Sequence, residues 1–244
     1  MPRSDCCRGW KDSIRGGEAE VKLSIVIPML NEARQLPELF AHLLPLKLSG
    51  CEIIFVDGES NDGSEKLAKE AGFEVIGSAR GRARQMNSGA GLASGDILLF
   101  LHADTRLPKS AVYHVVNALA DERHCWGRFD VCITGRHFML RVIGCMMNWR
   151  SRLTGIATGD QAIFVQRGAF EKLHGFPNQP LMEDLELCKR LKELSRPACL
   201  LQCVTTSGRR WETNGVWRTI LLMWRLRWQY WLGRDAAELA RLYR

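Results

Sequence analysis

Four short apolar runs, separated by stretches long enough for helices, constrain this chain most. They are LSIVIP at 23–28, EIIFVD at 52–57, FEVI at 73–76 and ILLFL at 97–101. Such runs are too short for helix cores and far too short to span a membrane; they suit strands buried on both faces. Between them, 32–46, 65–71 (turned in by Asn61-Asp62-Gly63-Ser64 and stopped at Gly72) and 82–93 (closed by Gly95) read as helices. Strands alternating with helices at this spacing predict an α/β fold, a mostly parallel sheet sandwiched by helices.

From Trp126 the rhythm breaks. A strand at 128–133 precedes a long apolar helical stretch at 138–153, and a strand at 161–165 leads to an amphipathic helix at 183–194. There is no internal repeat. At 244 residues, 46% hydrophobic and 25% charged, the chain has the make-up of one globular domain. The first 20 residues lack the apolar centre of a secretory signal, so residues 1–21 are expected to be a disordered extension. Nine cysteines, an odd number with no C-x-x-C pair, point to a reduced, cytoplasmic protein.

In an open parallel sheet, ligands bind beyond the carboxyl ends of the strands. Here the first strand runs into Asn31-Glu32, the second ends on Asp57, and the fourth ends on His102-Ala103-Asp104. A lone aspartate at such a point more often caps the next turn; polar groups at three strand ends argue for a site. The first turn, Pro28-Met29-Leu30-Asn31-Glu32, has no glycine, which excludes the dinucleotide fingerprint. The loop from Asp57 puts Asp62 where a calcium loop needs its glycine and Ala68 where it needs glutamate, which excludes that reading too. Carboxylates with a basic segment suit a metal-bridged diphosphate. Asp104 binds a hard cation through oxygen, and Arg80, Arg82 and Arg84 enter a helix whose N-terminus favours anions. The same arginines also suit a solvated helix face. Asp57 is able to accept from a ribose hydroxyl or a base edge.

These residues resemble the family 2 glycosyltransferases of GT-A fold: Pro28-x-x-Asn31-Glu32, VDGESNDGS at 56–64, HAD at 102–104 and Glu183-Asp184 occur in that order. The strings GRARQMNSGAG, GDILLFLHADT, PLMED and SGRRWE are similar to the small radical-SAM/selenodomain-associated transferase subfamily. The likeness covers about residues 22–244, divided here into a GT-A domain at 22–206 and a Trp/Arg-rich helical segment at 207–244. It implies an inverting, metal-dependent transfer of a sugar from a UDP- or GDP-sugar to an acceptor hydroxyl. By position, Pro28, Asn31, Glu32 and Asp57 would line the nucleoside pocket, and Arg82, Arg209, Arg210 and Trp211 would also face the nucleotide-sugar. Asp104, with His102, would hold Mn²⁺ or Mg²⁺. Asp184, with Glu183 beside it, would take the acceptor's proton, since a hydroxyl is a poor nucleophile until a carboxylate does so. Asp184 equally suits the N-terminal turn of a helix, where the dipole favours an acid.

Three departures from the family pattern stand out. Gly58 replaces the second of two aspartates after the second strand. His102 replaces the first acid of Asp-x-Asp, and an imidazole suits Mn²⁺ better than Mg²⁺. Ser207-Gly208-Arg209-Arg210-Trp211 lacks the glutamine of processive synthases, which implies single transfers. A nucleotidyltransferase would need a glycine-rich loop after the first strand. A non-catalytic membrane-surface or scaffolding protein with a degenerate site is the alternative from another class.

The tail differs in kind. From Arg209 to Arg244 eight arginines face three acids, and five of the eight tryptophans lie there. On a helix at 213–232, Trp217, Trp224, Trp228 and Trp231 fall within about 60° of one another, while Leu222, Met223, Leu226 and Tyr230 form a second face. The Leu/Met face is expected to pack on the domain, and the Trp face to meet lipid peripherally, on the cytoplasmic face of the inner membrane, near a lipid-linked acceptor. The alternative is burial of both faces in the core or a dimer. No nucleic-acid partner is expected.

Overall fold

The computed structural model describes residues 21–120 and 123–243. Strand β1 (Leu23–Met29) is followed by α1 (Leu36–Leu48), β2 (Glu52–Asp57), α2 (Ser64–Glu70), β3 (Glu74–Gly77), α3 (Arg82–Leu92) and β4 (Ile97–Phe100). Then come the two-residue β5 (Thr105–Arg106), α4 (Ala111–Ala120), β6 (Trp126–Thr134), α5 (Met139–Thr154), a 3₁₀ turn (Gly159–Gln161) and β7 (Phe164–Gln166). Helices α6 (Arg167–Lys172) and α7 (Glu183–Leu194), strand β8 (Ala198–Ser207), and helices α8 (Arg209–Asn214), α9 (Val216–Trp231) and α10 (Ala236–Tyr243) complete it.

One sheet of order β3-β2-β1-β4-β7-β6-β8-β5 runs through the domain. The β1–β2, β2–β3, β1–β4 and β6–β8 pairs are parallel, and β7 joins β4 to β6 antiparallel on both sides. Alternate side chains of each strand enter opposite cores. Ile25, Ile27, Phe55 and Leu99 meet Leu36, Leu39 and Leu43 of α1, Val115 and Leu119 of α4, and Leu140 and Ile143 of α5 in one cluster. Val26, Ile54, Leu98 and Phe100 meet Ala83 and Met86 of α3, Phe170 of α6, and Leu187 and Leu191 of α7 in the other. Burial on both faces explains why these strands read as near-continuous apolar runs.

The expected extension at 1–21 lies, but for Val21, outside the described residues. Helix α1 starts at Leu36 instead of Glu32, because the Gln35 and Leu36 amides both donate to the Glu32 carbonyl and close a turn first. Neither α4 nor β8 was expected. The expected tail helix at 213–232 is α9, which starts at Val216 because Gly215, at φ 82°, separates it from the unexpected short α8. On α9 the two expected faces separate. Leu226 is fully buried with Met182 and Leu239, and Leu222, Met223 and Tyr230 pack around them, while Trp217, Trp224, Trp228 and Trp231 are each more than 60% exposed. Among the described residues no helix is long and apolar enough to cross a membrane.

Helix α3 lies so close to the sheet that a β-carbon at Gly89 would strike Val26 Cγ1 and come within 2.8 Å of Val56 Cγ2, whereas Gly91 on the same helix faces open space. Gly89→Ala is therefore expected to destabilise by about 1–3 kcal/mol through overpacking. Gly91→Ala is expected to stabilise by about 0.5–1 kcal/mol through helix propensity. Urea denaturation of the two variants measures both.

Candidate active site

A cleft of about 780 Å³ opens at the carboxyl ends of β1 and β4, against the N-terminus of α7 and the start of the tail. Pro28, Glu32, Arg82, His102, Asp104, Glu183, Asp184, Arg210 and Trp211 line it. Of the residues expected from sequence, Asn31, Asp57 and Arg209 are absent from the wall. Asn31 adopts a left-handed φ of 55°, which asparagine tolerates. Its backbone N–H donates to the Ser60 hydroxyl at 2.9 Å, and its side-chain carbonyl accepts from Asn61 N–H at 2.9 Å. Asn31 thus clamps the loop after β1 to the loop after β2. Arg209 sits 3.8 Å from Glu32.

Asp57 is almost fully buried; one carboxylate oxygen accepts from Ser60 N–H at 2.9 Å, and the other is buried with no partner among the described residues. The next residue explains a departure in the sequence. The Gln85 side-chain amide donates to the Met29 and Val56 carbonyls, both at 2.8 Å, tying the ends of β1 and β2 to α3. A β-carbon at Gly58 would lie 2.8 Å from that same nitrogen. Gln85 fills the space that a second aspartate would need.

At the end of β4, His102 Nδ1 is 3.2 Å from an Asp160 carboxylate oxygen, and His102 Nε2 is buried with no partner among the described residues. Gly159 packs on the ring, where any β-carbon would come within 2.5 Å of Cε1. Burial pushes the Asp160 carboxyl up, but the hydrogen bond and charge of His102, with Arg82 and Arg227, hold it below the usual range. Nearby, the Asp104 carboxylate accepts from the Thr105 hydroxyl at 3.4 Å. A histidine that ligates a metal through one nitrogen ordinarily donates its other N–H to a carboxylate. The Asp160–His102 pair has that form, with Nε2 left as an orphaned acceptor and Asp104 as an oxygen donor. No cluster of three or more His, Cys, Asp or Glu ligands occurs among the described residues. The residues therefore fit a cation that takes its remaining ligands from a substrate diphosphate and water.

Across the cleft, α7 begins after Met182, which takes a left-handed φ of 63°. Glu183 is buried, and burial, with the adjacent Asp184, raises its pKa, opposed by Arg82 at 3.8 Å. Asp184 is held by two backbone donors at 2.8 Å, Gly159 N–H on one oxygen and Leu185 N–H on the other. Glu32 is likewise raised by burial, and Arg209 opposes the shift. The Arg210 guanidinium lies 3.8 Å over the Tyr243 ring at the cleft's edge.

Sequence reasoning missed Asp160, Gln85, Tyr243 and the place of Arg227 in this wall. Only Asp160 left a local mark. Thr158 N–H donates to the Gln161 side-chain carbonyl at 3.3 Å across it, a four-residue spacing readable in TGDQ.

The glycosyl transferase family 2 model matches residues 24–172, the segment that carries β1 through α6. The probable glycosyltransferase YdaM of Bacillus subtilis (strain 168) is 27% identical over 248 residues, which cover 91% of this chain and 59% of the relative. The chain thus spans about six-tenths of that relative's length. The mannosyltransferase PcManGT from Pyrobaculum calidifontis, solved with GDP-Man and Mn²⁺, superposes with a TM-score of 0.58 at 19% identity, over 75% of this chain and 56% of that one. S. aureus TarS 1-349, solved with UDP-GlcNAc, gives 0.61 at 16% identity, over 76% of this chain and 58% of that one. Both share the fold, and on the family match the chain belongs to glycosyl transferase family 2.

Proposed function

We propose that this protein is an inverting, non-processive glycosyltransferase that moves a sugar from a UDP- or GDP-sugar to an acceptor hydroxyl. One observation carries the reading. The ends of β1 and β4 and the first turn of α7 bring Glu32, His102, Asp104, Glu183 and Asp184 to a single cleft, with Arg82 and Arg210 on the same wall. Acidic and basic groups of that kind suit a diphosphate held with a cation. The exposed Trp face of α9 supports a peripheral membrane contact and a lipid-linked acceptor.

The geometry supports a division of labour. Asp57 lies outside the cleft wall and braces the loop after β2 through Ser60 N–H, while Pro28 and Glu32, which line the cleft, would meet the nucleoside. Asp104 and His102 would hold Mn²⁺ or Mg²⁺, which when bound neutralises the diphosphate leaving group. Arg82 and Arg210 would bind its phosphates. Asp184 takes the acceptor proton as the acceptor oxygen bonds to the anomeric carbon, and the anomeric carbon–diphosphate bond breaks on the opposite face. Two backbone N–H groups fix Asp184 in place.

Three results test this. Mn²⁺ with UDP or GDP should raise the thermal midpoint of the wild type, because a ligand bound to the native state stabilises it by mass action. Asp104→Ala should abolish the metal-dependent part of that shift while the unliganded midpoint stays the same; equal shifts with and without Mn²⁺ in the variant contradict the metal assignment. Asp184→Asn should keep donor binding and lower transfer by about 10²-fold or more. Near-normal turnover in Asp184→Asn, with loss in Glu183→Gln, would move the base to Glu183.

A further inference from the structure

Two helices, not one, present apolar stripes to solvent. On α5 and the residue before it, Phe138, Val142, Met146, Trp149 and Leu153 recur at helical spacing. On α9, Trp217, Leu221, Trp224, Trp228 and Trp231 do the same. All ten side chains are 40–74% exposed. Aromatic side chains offer about 150–250 Å² each, so the six aromatics alone expose on the order of 700 Å². The largest apolar patch on an ordinary monomer is about 300–600 Å².

Both helices pack on the same core. Leu140 and Ile143 of α5 and Val216 of α9 join one core cluster, with Met139, Met147 and Ile220 packed against it. The Arg136 N–H between β6 and α5 donates to Glu212 of α8 at 2.5 Å. Arg150 of α5 and Arg227 of α9 approach closely enough for one charge to act on the other. On each helix this arginine stands at the border between the buried face and the exposed stripe, so each stripe begins beside the pair. Arg150 Nε and Nη2 are buried there without an acceptor. Arg227 also lines the cleft with Asp184, which puts the pair beside the site.

We propose that α5 and α9 together form a platform that docks on an anionic bilayer surface and brings the cleft to an acceptor carried in that surface. The proposal deepens the glycosyltransferase reading by naming where its acceptor lies. Charge decides the occupant. The two helices carry no aspartate or glutamate; with Arg152 paired to Asp130, Arg150 buried at Nε and Nη2 and Arg227 turned to the cleft, Arg141, Arg218 and Arg225 are the arginines exposed beside the stripes. A second copy docked by its own equivalent patch would set arginines against arginines. Lipid phosphates complement them, and indoles flanked by arginines suit the headgroup level.

Flotation of the full chain with vesicles tests this. Wild type should float with phosphatidylcholine vesicles containing phosphatidylglycerol, and stay at the bottom with phosphatidylcholine alone. Trp149→Ser on α5, and Trp224→Ser with Trp228→Ser on α9, should each reduce the floated fraction at least tenfold. Arg218→Gln with Arg225→Gln should reduce the preference for anionic vesicles. Thermal midpoints should match wild type, because these side chains are exposed. A wild type that stays at the bottom overturns the proposal, and so does unchanged flotation of Trp149→Ser. A lowered midpoint would make the stripe core, and conversion of a dimer to a monomer by the same substitutions would make it a self-interface; either overturns it. Flotation is read without nucleotide, and nucleotide binding without vesicles, so failure of one reading leaves the other standing.

Discussion

The site depends on a reversal of strand order. The chain lays β2 and β3 on one side of β1, then crosses back to place β4 on the other side. The connections leaving the carboxyl ends of β1 and β4 therefore part in opposite directions, and a crevice must remain between them. Residues 28–32 leave one lip and residues 102–104 leave the other. Gln85 holds the floor together, since its amide bridges the Met29 and Val56 carbonyls where the strands end. Glycine at position 58 is a consequence of that bridge, not a defect in a carboxylate pair.

Within the crevice, environment separates carboxylates that chemistry alone would make alike. Burial pushes Glu32 and Glu183 toward their neutral forms, while the His102 hydrogen bond draws Asp160 the other way. Pairs of titratable groups driven apart in this manner mark divided roles. The tail completes the balance. Arg209 reaches Glu32, Arg210 and Tyr243 stack at the edge, and Arg227 brings positive charge toward Asp184 and Asp160. Helix α9 thus serves two surfaces at once. Its inner side contributes Thr219, Met223 and Arg227 to the cleft that Asp184 lines, and its outer side shows tryptophan to solvent.

The parts legible in the sequence were those whose environment is uniform along the element. Residues 52–57 are buried on both faces and read as one apolar run, and residues 183–194 keep one buried stripe at helical spacing, so both were bounded correctly. The two faces of α9 were legible for the same reason. Strand β8 was not, because ACLLQCVTTS has neither a continuous run nor strict alternation, and its partner β6 lies far away in sequence. Helix α4 hid behind β-branched residues and a histidine in AVYHVVNALA, which lower helix propensity. In the site, strand-end acids announced themselves by position. Asp160 and Gln85 act through contacts 58 and 56 residues away, to His102 and Met29, which no local spacing encodes.

The central claim is that a divalent cation joins this cleft to a nucleoside diphosphate. Pulsed electron paramagnetic resonance of Mn²⁺ bound to the protein with UDP or GDP reads that junction at the metal itself. The account predicts ³¹P couplings from the diphosphate together with a directly coordinated ¹⁴N from His102, the nitrogen signal vanishing in His102→Asp while the phosphorus signal stays. Mn²⁺ bound without phosphorus coupling, or bound equally tightly in the absence of nucleotide, would contradict it.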